Sequence, residues 1–193
     1  MLENLSKYKI LLASKSPRRH ELMAMLRIPF NTVVINGIDE TYPHDLEARK
    51  IPEYLSGKKA EAYLKTFKGN ELIITADTLV ILDNKVIGKP HDEEDARRVL
   101  KELSGKTHQV VTGISINTQE KHVTFSDTTE VKFCELNEEE IRYYVNNFRP
   151  LDKAGAYGIQ EWIGCIGVEW INGSYFNVMG FPVHRVYEHL KSF

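Results

Sequence analysis

The segment Leu72–Leu82, LIITADTLVIL, constrains this chain more than any other. Its first half, Leu72 to Ala76, is almost continuously apolar, and the run resumes at Leu79, the pattern of a buried β-strand. One residue does not belong in such a strand. Asp77 places a carboxylate inside it, and burying an unpaired carboxylate costs several kcal/mol, a large fraction of a domain's net stability. The acid must therefore be paired, bound to a metal, or open to a cleft.

The neighbouring segments supply the rest of an α/β chain. Ile10–Ala13 reads as a strand, and Ser16-Pro17 opens a helix over 17–26, with Ser16 as N-cap and proline at the first helical position. A second strand is expected at 30–35, then a polar loop, then a helix from about Pro52 to Phe67. The Leu82-Asp83-Asn84-Lys85 turn folds the Asp77 strand into a hairpin. A helix over 92–103 ends at Gly105, two long strands follow at 107–117 and 122–136, and Asn137 caps a helix to about Asn147. Short strands around 163–168 and 174–178 and a helix from Pro182 complete the chain. The expected sheet is partly parallel and partly antiparallel, with flanking helices.

A chain of 193 residues reads as one domain, or as two lobes around a shared cleft, and can bury enough surface to fold unaided. Its 25 basic and 27 acidic residues leave a net charge of −2, which gives no general basic field for nucleic acid or a membrane surface. A polyanionic ligand must meet a local cluster of cations. Two cysteines without CxxC spacing indicate neither a zinc site nor a disulfide framework. The opening MLENLSKYK is polar, and no run is apolar enough to span a bilayer, so a soluble cytoplasmic protein is expected.

Familiar motifs fail on spacing. Ser104-Gly105-Lys106-Thr107 resembles the end of a phosphate-binding loop, but Leu100 stands where its first glycine should be. The order of helix and strand is also reversed. His20-Glu21 begins a zincin-like motif, yet Ala24 occupies the position of the second histidine. No nucleophile-elbow or dinucleotide-binding glycine pattern is present.

What survives is a set of polar clusters at the ends of elements: Ser14, Ser16, Arg18 and Arg19; Asp39-Glu40; Asp77-Thr78; and Asp152-Lys153 through Gln160. Lys58, Lys59 and Lys89 add positive charge. Arg18 and Arg19 oppose the dipole of the helix they begin, unless an anion bound at that N-terminus compensates them. Two acids among several cations suit a hard divalent ion and a phosphorylated ligand: carboxylates and phosphates hold such an ion, while arginine and lysine grip phosphate oxygens.

The successive stretches LLASKSPRR, GKKA, ADTLV, GKP and DKAGAYGIQ resemble the motifs of the Maf family, in order across nearly the whole chain. The resemblance implies an elongated α/β fold with two lobes around a central cleft, related to the inosine triphosphate pyrophosphatases, and one domain over residues 1–193. It implies a nucleoside triphosphate pyrophosphatase that yields the monophosphate and pyrophosphate, commonly as a homodimer, with Mg²⁺ or Mn²⁺ as cofactor. Asp77 then matches the proton acceptor, and with Glu40 the metal site. Ser14, Arg19, Lys59 and Lys89 match the phosphate region, and Arg18, Thr78 and Gln160 match the positions tied to base specificity. Arg, Thr and Gln there resemble the dTTP/UTP branch; the branch acting on 7-methyl-GTP looks like Trp, Gln and Glu. A glutamine amide, both donor and acceptor, suits the O4/N3–H edge of uracil or thymine. Phe148-Arg149-Pro150 departs from the family pattern, where an acid usually precedes the proline. The rival expectations are action on 7-methyl-GTP or another modified nucleotide, and a non-catalytic nucleotide-binding factor of cell division.

Overall fold

The computed structural model describes residues 2–193. Among the described residues there are seven strands: β1 (Lys9–Ala13), β2 (Asn31–Thr32), β3 (Glu71–Leu82), β4 (Lys85–Ile87), β5 (Thr107–Asn117), β6 (His122–Phe133) and β7 (Val168–Asn172). They form a mixed sheet in the order β2-β1-β3-β5-β6-β7, with β4 paired to β3. β1 runs parallel to both β2 and β3, whereas β3–β4 and β6–β7 are antiparallel. The helices are α1 (Pro17–Met25), α2 (Ile51–Thr66), α3 (Glu93–Leu103), α4 (Glu138–Phe148), α5 (Trp162–Gly167), α6 (Tyr175–Val178) and α7 (Val183–Leu190).

Local chemistry accounts for most boundaries. Asp92 caps α3 by accepting from Asp95 N at 2.8 Å, and three acids in the first turn complement the helix dipole. Asn137 and Glu140 form a reciprocal capping box at α4. Asp83 and Asn84, both at positive φ, make the two-residue turn between β3 and β4.

Three expectations are corrected. The strand expected at 30–35 pairs only at Asn31–Thr32, because the Ile35 amide is taken by the Tyr63 hydroxyl of α2 at 2.9 Å instead of by a strand. The segments at 163–168 and 174–178 are largely helical, and the strand lies between them. Ser174 accepts from Asn177 N and so starts a helical turn, while Val168–Asn172 pairs with β6. Short apolar runs carry no period that distinguishes the two forms. Ser16 stands at the N-cap of α1, but its side chain caps nothing; its own amide donates to Ser14 Oγ at 3.1 Å.

The chain divides into two compact units, Met1–Asp77 with Thr112–Asp127 and Gly180–Phe193, and Thr78–Val111 with Thr128–Met179. In the first, Leu11, Ala13, Ile73 and Tyr63 pack with Val33, Ile35 and Phe67. Helix α2 crosses β5 so closely that a Cβ at Gly113 would fall 2.1 Å from Pro52 O. In the second, α3 and α4 bury Val99, Leu100, Leu103, Ile141 and Tyr144 against Val110, Val131 and Phe133.

Candidate active site

In the first unit, three parallel strands deliver the polar clusters to one end. The β1–β3 pairing stops at Ala13↔Thr75, so Ser14 and Asp77 emerge just beyond it, and the loop after β2 carries Asp39 and Glu40. The carboxyl ends of parallel strands are where open α/β sheets bind ligands.

Asp77 is buried and, of the three expected solutions, takes the first: it is paired, with Lys59 of α2. Lys59 Nζ lies 2.5 Å from Asp77 Oδ1 and 3.3 Å from Glu40 Oε2, so the two expected metal-holding acids converge on one ammonium. Arg19 stands beside them. Its Nη1 donates to Ala76 O at 2.8 Å and its Nε to Gly180 O at 2.9 Å. Burial lowers the pKa of this guanidinium and the Asp77 charge partly offsets that. Ser14 is buried at the turn, which is closed by His20 Nε2 against Ser14 O at 2.7 Å. Arg18, half-buried, shares the first turn of α1 with Arg19.

The two adjacent lysines separate in role. Lys58 donates to Asp39 Oδ2 at 2.7 Å and to Thr41 O at 2.9 Å, a loop fastening that holds the Asp39 carboxyl down at about 2. Only Lys59 reaches Asp77. The pair KK in the sequence carries no sign of that division.

In the second unit, Thr78 follows Asp77 directly along β3 and is half-buried; Lys89 and Gln160 are exposed. The loop bearing Gln160 is tied to the segment bearing Lys89, since Gly155 N donates to Gly88 O at 3.0 Å. Gly155 has φ +71°, and a Cβ there would lie 2.8 Å from Val80 Cγ2. Lys153, buried and salt-bridged to Asp152 and Glu161, was singled out in sequence only as part of its loop. Nothing in the residue types reveals that burial. Arg149, the departure from the family pattern, takes a left-handed conformation at the end of α4 and approaches Glu93 Oε1 at 3.8 Å.

Among the described residues, no group of three or more His, Cys, Asp or Glu is placed to hold a metal. The pair Glu40–Asp77 nevertheless fits a hard divalent ion as a partial donor set: both are oxygen ligands, and they already share one cationic centre. Among the same residues, no helix is long and apolar enough to cross a membrane.

Cations and two carboxylates gathered at the carboxyl ends of parallel strands mark an α/β protein built to receive an anionic ligand. The chain belongs to the Maf family: the model of that family, described as Maf-like protein, matches residues 9–193. It is 59% identical over 191 residues to a dTTP/UTP pyrophosphatase of Phocaeicola vulgatus, covering 99% of each chain. It is 53% identical over 193 residues to one of Parabacteroides distasonis, covering 100% of each. A third, of Porphyromonas gingivalis, is 51% identical over 195 residues, covering 100% of this chain and 98% of the other. Among solved structures, the Ham1 protein of Staphylococcus aureus resembles it with a TM-score of 0.48 and 16% identity, over 65% of this chain and 71% of that one. That likeness is too slight to bear on the reaction.

Proposed function

We propose that this protein is a nucleoside triphosphate pyrophosphatase that hydrolyses dTTP and UTP to the monophosphate and pyrophosphate. The reading is supported by full-length identity of 59% to a dTTP/UTP pyrophosphatase. The structural observation that carries it is the convergence of Glu40 and Asp77 on Lys59 beside Arg19. The chain acts as one catalytic domain over 1–193, as a cytoplasmic homodimer, with the nucleotide as its ligand and neither nucleic acid nor membrane as partner.

Water attacks the α-phosphorus and the bond to the β-phosphate bridging oxygen breaks, so pyrophosphate leaves. Asp77 accepts the proton of the attacking water through Oδ2, while Oδ1 is the oxygen that faces Lys59, the ammonium shared with Glu40, and is the one left for an ion. Glu40 and Asp77 would hold Mg²⁺ or Mn²⁺, which supplies charge to the phosphate oxygens and lowers the pKa of water. Arg18, Arg19, Lys59 and Lys89 stabilise charge on the phosphates and the leaving group. Arg19 does this as a pre-organised cation, since two backbone carbonyls fix its guanidinium. The Ser14 hydroxyl, whose oxygen accepts from Ser16 N, keeps its O–H free to donate a hydrogen bond to a phosphate oxygen. Arg18, Thr78 and Gln160 select the base.

The test is pyrophosphate release from a panel of dTTP, UTP, CTP, GTP and 7-methyl-GTP, with and without Mg²⁺ or Mn²⁺. Turnover concentrated on dTTP and UTP in the presence of metal is expected. Preference for 7-methyl-GTP, or binding of dTTP without metal-dependent hydrolysis, overturns the assignment.

A further inference from the structure

The loop that presents Gln160 is locked by a buried polar network inside the second unit. Lys153 is only 8% exposed; its Nζ donates to Asp152 Oδ1 at 2.8 Å and lies 3.2 Å from Glu161 Oε1. The other Glu161 oxygen, Oε2, accepts from the Tyr144 hydroxyl of α4, and Gly158 N donates to that same hydroxyl at 3.0 Å. Burial and the Glu161 carboxylate raise the pKa of Tyr144, so its hydroxyl stays a donor. Backbone bonds close the rest: Glu161 N to Gly158 O at 3.0 Å and Gly164 N to Glu161 O at 2.9 Å. A Cβ at Gly158 would lie 2.8 Å from Glu161 Cδ, so glycine is what lets the carboxylate fold back over the loop.

This lock surrounds one residue. Gly155 through Ile159 are all buried and Gln160, the next residue, is exposed, immediately before Glu161. A buried ion pair is a poor source of stability, because apolar residues of similar volume often serve as well or better. Fully hydrogen-bonded, such a network instead holds a segment in a single conformation. A side chain that must discriminate hydrogen-bond donors from acceptors needs its backbone held to within a fraction of an ångström by supporting contacts.

We propose that Glu161, anchored by Tyr144 and Lys153, is a positioning residue that holds Gln160 in the orientation from which it selects the pyrimidine. The proposal rests on the reading of Gln160 as a base-selecting residue. Neither Glu161 nor Tyr144 has to touch the nucleotide. Their substitution is expected to change which base is accepted far more than how fast the anhydride is cleaved.

The experiment compares kcat/KM for UTP and CTP, which differ at the O4/N3–H edge, in the full-length chain. Glu161→Gln keeps the shape but removes the charge opposite Lys153. It is expected to lower the UTP:CTP ratio about tenfold through KM for UTP, with kcat within about twofold of the parent. Tyr144→Phe, which deletes a single oxygen, should shift the ratio in the same direction and serves the same comparison if Glu161→Gln does not fold. Gln160→Ala should collapse the ratio, and adding Glu161→Gln to it should change nothing further. If Gln160→Ala lowers the ratio but neither Glu161→Gln nor Tyr144→Phe does, the positioning role is wrong and the role of Gln160 stands. If Gln160→Ala leaves the ratio unchanged, the base-selecting role fails and the positioning role with it. Equal losses for both nucleotides alongside a lowered Tm reduce the network to a structural one and overturn the proposal.

Discussion

Replacing Lys59 by methionine tests how much stability the shielded Asp77–Lys59 pair contributes. The pair is close, 2.5 Å, and both side chains are largely shielded, at 16% and 12% exposure. Removing one partner of a fully buried pair costs about 3–5 kcal/mol, because the other charge is left uncompensated. Two features reduce that here. Some solvent reaches both side chains, and Arg19 remains as a second cation near Asp77. The expected loss for Lys59→Met is therefore about 2 kcal/mol. Asp77→Asn removes the buried charge itself and leaves Lys59 with Glu40 at 3.3 Å, so its cost is expected to be about 1 kcal/mol. With Asn already at position 77, Lys59→Met has no buried charge to strand and should cost less than about 1 kcal/mol, a coupling of about 1–2 kcal/mol. Urea unfolding of the parent, both single variants and the double variant at pH 7, with a common m-value, measures it. Additive effects, or a double variant less stable than the sum predicts, would refute the claim that these charges share one shielded site.

Three further outcomes are expected. Asp77→Asn should fold and bind nucleotide yet lose roughly 10²–10⁴ in kcat, the usual reach of a general base; full turnover removes Asp77 from that role. His108 is 1% exposed, its Nε2 meets Tyr157 OH at 2.8 Å, and burial pushes its pKa from 6.5 down to about 4. The unfolded chain thus binds the extra proton first, so stability should rise with pH between about 4 and 6.5 and fall by about 3 kcal/mol from pH 7 to pH 4 on this account. Measuring unfolding free energy against pH should show His108→Gln flattening that slope, and an unchanged slope would clear His108 of responsibility. Gly113→Ala should lower stability by about 1–3 kcal/mol or prevent folding, since its methyl meets Pro52 O at 2.1 Å; an unchanged Tm would show that α2 can slide.

Legibility followed the range of the interactions. Asp77 stood out because a charge in an apolar strand violates a local rule that has few solutions. Helices α3 and α4 were readable because Asp92, Asn137 and the apolar spacing lie within a few residues of the turns they govern. Residues 163–168 and 174–178 look like strands in sequence because runs that short carry no period, and pairing with β6 decides that Val168–Asn172 is the strand. Ser16 was misread because a capping residue type does not guarantee a capping contact: its amide turned to Ser14 instead.

By itself the sequence determined that strands and helices alternate in an α/β chain, that Asp77 had to be paired, metal-bound or open to a cleft, and that α1 opens on two arginines set against its own dipole. Those conclusions follow from near neighbours and from the cost of burying charge. The tertiary structure alone decided that Lys59 and not Lys58 meets Asp77, that Glu40 joins them across 19 residues from Lys59, and that Lys153 is buried against Glu161. The first two choices depend on distances between segments remote in the chain, which the pairing of β1 with β3 and the packing of α2 on β5 set, and the third on the bonds that fold the 153–161 loop on itself.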